Sequence, residues 1–315
     1  MAQRFPAAHR DEPRPSRTPR PAPDSPDALI TSRDNRWLKK FRAALRGSGP
    51  EPGEPIALEG PKLVEEAVRS NLEVEALLVG NAGEDSLPRI LHAARDTGHG
   101  IARSRILRTT DKLFAGVAQT ETPQGIAALV RPREWNFDDL LRGQSTPDGA
   151  YRGAPALVAV MAGVQDPGNV GTIVRSAEAF GATGVVAARG TADPWSPKAL
   201  RASAGSALGM PLLRGIAIPV LLAQLRIAGL KIYAAATRAG DAVGSQNPPP
   251  QPNWNDPAAL FIGSEGAGLP HEVLHAADAI ASIPMSEQVE SLNAGVAASL
   301  LLYEAARLRK QAAEP

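Results

Sequence analysis

The 315-residue sequence has no cysteine, which excludes disulfides and thiolate metal sites. This fits a reducing compartment, and the cytoplasm is the expected location. Aromatic residues are scarce, at 4%. No stretch is long and apolar enough to cross a membrane. Met1 to Arg20 lack the apolar core of a secretory signal. Excess charge is missing as well: 34 Lys and Arg face 33 Asp and Glu, a formal net charge of +1. A polyanionic partner would therefore have to be met by locally clustered cations. What the chain does have is an ordinary globular apolar fraction, 43%, with 29 glycines and 29 prolines. Its length allows one large domain or two modest ones.

Residues 1–27 are rich in Pro, Arg, Ser and Asp and hold almost no large apolar side chain. Such a segment cannot bury enough surface to offset chain entropy, which predicts a disordered tail. Residues 28–131 read as a small α/β domain. The spacing of Trp37, Leu38, Phe41 and Leu45 predicts a helix over Thr31–Arg46. That helix carries Arg33, Arg36, Lys39, Lys40, Arg42 and Arg46 against a single acid, Asp34. The pattern suits either a polyanion-facing surface or an ordinary solvated helix face. Further elements are expected at Ile56–Leu58, Pro61–Ser70, Ala76–Val79, Ile101–Leu107 and Ile126–Val130. Residues 132–153 read as a polar linker.

From residue 154 to 315 the pattern alternates. Apolar runs at Ala156–Ala162, Gly184–Ala188, Lys231–Ala236, Ala259–Ile262 and Ala279–Ile283 predict strands. Helices are expected at Val170–Phe180, Pro219–Ala228, His271–Ala276 and Leu292–Arg309. Such alternation means a mostly parallel sheet covered on both faces. Arg307, Arg309 and Lys310 suit the C-terminal end of the last helix.

Three segments of this second domain carry chemistry. In the first, Gly163 to Glu178, a strand gives way to a Gly/Pro/Asn turn and then a helix, with Asn169 as a candidate N-cap and Arg175 projecting from the second turn. The second, Leu260 to Pro270, runs a buried strand into a G-x-x-G-x-G loop at Gly263, Gly266 and Gly268, with Glu265 inside it. It is neither the dinucleotide fingerprint nor a phosphate-binding P-loop, although its glycines let backbone approach a ligand closely. The third joins Ile283-Pro284-Met285-Ser286 to Glu290-Ser291-Leu292-Asn293-Ala294-Gly295, where the last helix begins with small residues.

In this order, the three segments resemble the sequence motifs of the SpoU (TrmH-type) branch of the SPOUT RNA 2′-O-methyltransferases, over essentially all of residues 154–309. The first domain resembles the family's ribosomal-protein-like substrate-binding domain through Leu58–Ala67, Asp111–Phe114 and Glu121–Ile126. The resemblance implies a SPOUT-type α/β parallel sheet with a C-terminal trefoil knot, S-adenosylmethionine held in the knot, and an RNA substrate, ribosomal RNA rather than transfer RNA. It implies methylation of a ribose 2′-hydroxyl without a metal, and a homodimer with the last helix and the first-motif helix near the interface. Neither a membrane nor DNA is an expected partner. Carried over by motif position, Arg175, Asn169, Glu265, Ser291 and Asn293 are the expected catalytic residues. Gly263, Gly268, Ile283, Met285 and Leu292 are the expected cofactor contacts, with the strand end Ala234–Thr237, Thr237 above all, beside them. Glu265 is expected to hold its loop by accepting backbone N–H bonds, with a place near the reacting hydroxyl as the alternative. Lys198 and Arg201 fall in an expected RNA-facing loop, and Arg36, Lys39, Lys40 and Lys62 are further RNA-binding candidates. One departure is Asn293-Ala294-Gly295, where the family pattern often continues Val-Ser; the small residues are kept.

Two other readings compete. His271-Glu272-Val273-Leu274-His275 matches H-E-x-x-H, the zinc-peptidase signature, with Glu287 or Glu290 as a third ligand. Leu269-Pro270 place His271 in the first helical turn, which leaves little helix before it. The other is a non-catalytic RNA-binding protein on the same fold; the joint presence of Asn169, Arg175, Glu265 and Asn293 argues for activity.

Overall fold

The computed structural model describes residues 29–313 apart from 48, 51–52, 99, 143–154, 237–249, 287 and 290. The expected tail, 1–27, and Thr237, Glu287 and Glu290 lie outside the described residues.

Alternating apolar residues form strands β1 (Ile56–Glu59), β2 (Glu73–Val79), β3 (Ile106–Arg108) and β4 (Ile126–Arg131). Their order is β1-β4-β2-β3, antiparallel except for the β2–β3 pair. Side chains alternate across a strand, so β4 sends Ile126, Ala128 and Val130 to one face and Ala127 and Leu129 to the other. Helices α2 (Pro61–Arg69) and α3 (Leu87–Asp96) cover the first face. Helices α1 (Arg36–Arg46) and α4 (Asp111–Ala115) cover the second. Leu38, Phe41 and Leu45 of α1 are buried as their spacing predicts. The helix starts at Arg36 and not at Thr31 because the Asn35 side chain caps it, accepting from the Trp37 N–H at 2.8 Å.

The second sheet contains β5 (Leu157–Ala162), β6 (Gly184–Ala188), β7 (Leu212–Ile216), β8 (Lys231–Ala235), β9 (Ala258–Gly263) and β10 (Ala279–Ala281). Its order is β10-β8-β9-β5-β6-β7 and every pair is parallel. Leu157, Ala159 and Met161 of β5 face α6 (Pro167–Ala179), α7 (Pro197–Ala202) and α11 (Ala294–Ala313). Val158, Val160 and Ala162 face α5 (Phe137–Arg142), α9 (Ile218–Ile227) and α10 (His271–Ala276). A short helix, α8 (Ser206–Gly209), precedes β7. Helix α5 lies inside the stretch read as a linker; its Leu140 is fully buried and the Leu140 carbonyl accepts from Thr183 Oγ1 at 2.5 Å. Among the described residues no helix is long and apolar enough to cross a membrane.

The two sheets share one apolar cluster. Arg214 ties them at the surface: one nitrogen pairs with Asp193 and another donates to the Pro50 carbonyl at 2.7 Å. Burial pushes the Asp193 carboxyl above its ordinary value, against the pull of Arg214.

Arg309 does more than complement a helix end. Its guanidinium donates to the carbonyls of Trp254 and Pro155, both at 2.5 Å, Asp256 at 2.9 Å and Ala156 at 3.2 Å. It thereby staples α11 to the chain entering β5 and the chain entering β9. Burial lowers its pKa, but a guanidinium still stays protonated at neutral pH. Arg309→Met keeps the stem and strands these carbonyls, so a loss of about 3 kcal/mol is expected, visible as a lower urea midpoint with unchanged slope.

Candidate functional site

A cavity of about 580 Å³ opens where β8, β9 and β10 end. Ligands of open parallel sheets bind at such strand C-termini. Its floor is Ala235 and Ala236 at and after the end of β8, Ile262 and Gly263 of β9, and Ala281 and Ile283 at and after β10. Its walls are the loop Ser264–Leu269, Ser291 and Leu292 just before α11, and Ala294, Ala297 and Leu301 of α11.

The loop is built by backbone geometry. Ser264 N–H donates to the Gly268 carbonyl at 3.1 Å, and Gly268 N–H donates back to Ser264 at 3.0 Å. This closes a tight turn that needs positive φ at Gly268, +68°. Gly263 lies beneath it with no room for a side chain: a Cβ there would stand 2.3 Å from the Gly268 carbonyl carbon.

A chain of side-chain hydrogen bonds joins the three sequence segments beside this cavity. Asn293 Nδ2 donates to Asn169 Oδ1 at 2.9 Å, and Asn169 Nδ2 donates to Glu265 Oε1. Asn293 also caps α11, its Oδ1 accepting from Val296 N–H at 3.2 Å. Asn169 is not the cap of α6, as its place in the turn suggests. Asp166 takes that position, with Pro167 in the first turn, which leaves Asn169 inside the helix and nearly buried. Glu265 does not hold its loop through backbone N–H groups: among the described residues, its carboxylate accepts from the Asn169 side-chain amide.

Of the expected cofactor contacts, Gly263, Gly268, Ile283, Met285 and Leu292 line the cavity, as do Ser291 and Glu265. Arg175 does not. It is exposed on α6, with no hydrogen bond or ion pair among the described residues. Ala235 and Ala236, from the expected strand end, line it too. Ala281, Ala297 and Leu301 join the lining unpredicted. They are small or apolar residues that the sequence marks only as strand and helix core.

The expected RNA contacts divide. Lys62 is exposed and forms no ion pair among the described residues. Arg36 lies with its guanidinium carbon 5.8 Å from the Trp37 ring centre, and Lys40 sits at the same distance. Lys39 pairs with Asp34 at 3.2 Å and Lys40 with Glu75, so part of the basic face read from the sequence is neutralised. Lys198 and Arg201 lie on α7 and not in a loop, because Ser196 caps the segment and Pro197 starts it. Lys198 Nζ donates to Asp166 at 2.5 Å, while Arg201 approaches Gln119 Oε1 of the first domain at 3.5 Å.

His271 and His275 share a face of α10, with ring centres 4.1 Å apart. Among the described residues no group of three His, Asp or Glu could hold a metal ion. The helix also has only six residues and starts at His271, so the peptidase motif lacks its usual helical support.

A parallel sheet whose ligand cavity joins a glycine loop to the start of a C-terminal helix defines a cofactor-binding α/β protein. Residues 156–303 match the SpoU rRNA Methylase family, and residues 54–128 match the MRM3-like substrate binding domain. The chain is 33% identical to the 23S rRNA (guanosine(2553)-2'-O)-methyltransferase RlmP of Bacillus subtilis, over 87% of this chain and 97% of that one. It is 31% identical to the uncharacterized tRNA/rRNA methyltransferase slr1673 of Synechocystis, over 91% and 97% of the two chains. Among solved structures, the AdoMet-bound rRNA methyltransferase of Sinorhizobium meliloti matches with a TM-score of 0.70 at 26% identity, covering 89% of this chain and 97% of that one. The chain belongs to the SpoU rRNA methylase family and is an S-adenosylmethionine-dependent RNA methyltransferase.

Proposed function

We propose that this protein methylates a ribose 2′-hydroxyl of ribosomal RNA, in the cytoplasm and as a homodimer. The observation that carries the reading is the Asn293–Asn169–Glu265 chain at the rim of the glycine-loop cavity. It joins one residue from each motif, separated by 96 and 124 positions. The cavity fits the cofactor: Gly263 and the Ser264–Gly268 turn offer backbone at close range, and Ile283, Leu292 and Leu301 offer apolar lining. Gly263, Gly268, Ile283, Met285 and Leu292 would hold it. When bound, it supplies an electrophilic methyl group on a sulfonium.

The chain must then position the hydroxyl, assist loss of its proton and exclude water. A guanidinium keeps its proton at neutral pH, so Arg175 serves as a bidentate grip on the RNA phosphate. That grip aims the 2′-oxygen and stabilises its developing charge; an RNA phosphate can take the proton. Asn169 and Asn293 orient Glu265 at the mouth of the cavity, and Ser291 lines the methyl-transfer side.

The homodimer reading rests on α11. Val296, Leu300 and Tyr303 are exposed at 47%, 43% and 51% and recur at helical spacing on one side. Thr172 and Ser176 of α6, and Phe180 directly after it, run alongside this helix, next to Gly295, Ser299 and Tyr303. Arg175 is exposed on the same helix pair, where a second copy would bring it to the partner's cavity. The knot reading rests on strand order: from β9 the chain passes over β8 to the edge strand β10, then returns as α11 against α6. The domain division at residues 28–131 and 154–315 rests on the two sheets.

The test is transfer of radiolabelled methyl to under-methylated ribosomal RNA, with transfer RNA alongside, followed by nucleoside analysis. Label in a 2′-O-methylnucleoside of ribosomal RNA is expected. Cofactor binding with no transfer to either RNA would leave a binding protein and refute the catalytic reading.

A further inference from the structure

The position of Lys198 in the sequence suits an RNA contact, yet the structure gives it a partner within the protein. Its Nζ donates to Asp166 Oδ1 at 2.5 Å. The same oxygen accepts from Gly168 N–H at 3.2 Å, so one carboxylate atom caps α6 and receives the lysine. The Asp166 carboxyl is held below its ordinary value, first by the Lys198 hydrogen bond and then by Gly168 N–H.

The two helices meet along a pair of α6 glycines, and the second of them is what the close approach requires. The Lys198 stem passes over Gly168, where an added Cβ would stand in ordinary contact, 3.5 Å from Lys198 Cε. One helical turn on, a Cβ at Gly171 would stand 2.3 Å from the Ala199 carbonyl oxygen and 2.6 Å from Ala202 Cβ. Helix α7 is thus pressed against the first turns of α6, and the Lys198–Asp166 pair lies at the end nearest the site. Between these glycines, in the same turn, stands Asn169. Its two side-chain atoms hold Glu265 on one side and Asn293 on the other.

We propose that Lys198 is a positioning residue for methyl transfer: through Asp166 it fixes the first turn of α6, and with it the Asn169 hinge between Glu265 and Asn293. This rests on the methyltransferase reading above. Lys198 and Asp166 side chains are 61% and 45% exposed. An exposed pair of this kind adds little to stability, so its consequence is geometric. Displacing catalytic groups by a fraction of an ångström costs rate more than binding.

The experiment uses Lys198→Met, Lys198→Arg, Asp166→Asn and the Lys198→Met/Asp166→Asn double variant of the full chain. Asparagine caps helices as well as aspartate does, so Asp166→Asn removes the charge and keeps the cap. Three quantities are measured: kcat and KM for ribosomal RNA, the salt dependence of RNA affinity, and the ¹⁵N shifts of the Asn169 and Asn293 side-chain amides. Positioning predicts a roughly tenfold fall in kcat for Lys198→Met and for Asp166→Asn, with KM within about twofold. The double variant falls no further than the worse single one, as expected for two residues acting as a unit. Lys198→Arg restores most of the rate, and the salt slope is unchanged. The amide signals move in both single variants, a readout that holds even if no turnover on ribosomal RNA is found and the functional reading fails. The proposal is overturned if Lys198→Met raises KM with kcat intact and lowers the salt slope by about one, while Asp166→Asn has no effect. That result would make Lys198 a phosphate ligand. Unmoved amide signals in both single variants would also overturn it.

Discussion

Replacing Arg175 with alanine is expected to slow methyl transfer about a thousandfold while leaving the fold and cofactor affinity intact. Arg175 is exposed and forms no hydrogen bond or ion pair among the described residues, so its loss strands no partner and opens no cavity. The thermal midpoint should therefore hold, since surface substitutions of this kind stay within about 0.5 kcal/mol. It also lies outside the residues that line the cavity, so cofactor binding should hold within a few-fold. The whole effect then falls on the reacting RNA. A donor aimed at developing charge in a water-excluded site contributes on the order of 3–4 kcal/mol, which is two to three decades in rate. Arg175→Lys separates charge from shape: a lysine keeps the charge but loses the planar fork, and about a tenfold to hundredfold loss is expected. Single-turnover transfer measures the rate and calorimetry measures the cofactor. Retained turnover in the alanine variant would refute the role; parallel loss of cofactor binding would move it to the cavity.

Why Arg175 stands out in the sequence while the contacts around it do not is a matter of range. Local periodicity places β6 at Gly184–Ala188 and α10 at His271–Ala276 with their observed ends. It misses β7, where Arg214 and Gly215 break the apolar run of a half-buried edge strand. It misses α7 and α8, six and four residues long, which are too short to show a helical period. It also misses α3, whose Pro88 reads as a breaker but sits in the first turn, where proline is tolerated. The cavity residues are legible because glycines and small residues mark places of close approach. The pairing of Asn169 with Glu265 and Asn293 is not, since those contacts close only when β5, β9 and α11 are assembled. Asn169 looks like a cap because Asn commonly is one; Asp166, three residues earlier, takes the position. The lysines of α1 and α7 look free because two of their acids, Glu75 and Asp166, are remote in sequence.

Gly263→Ala is expected to abolish cofactor binding at ordinary concentrations, a loss of about a hundredfold or more in affinity. The added methyl would stand 2.3 Å from the Gly268 carbonyl carbon, 2.4 Å from its oxygen and 2.6 Å from Leu269 nitrogen. All three are backbone atoms, so no side chain can rotate away. The Ser264–Gly268 bridge must open, and the cavity wall moves with it. Strain from forcing volume into packed structure costs about 1–3 kcal/mol, enough to lower the melting midpoint without preventing folding. Gly266→Ala, with no atom within 4 Å of the new methyl, should change affinity far less. The Gly263 variant also tests whether the catalytic centre is built across the proposed dimer. Chains carrying Gly263→Ala lack a cofactor site but keep Arg175; chains carrying Arg175→Ala keep the site but lack the arginine. If the catalytic centre forms across a dimer, mixing and reannealing the two inactive variants restores one complete centre per mixed dimer. About a quarter of wild-type activity then returns, because half the dimers are mixed and each has one working centre of two. If Arg175 acts on its own chain's cavity, every centre in the mixture lacks one part and no activity returns.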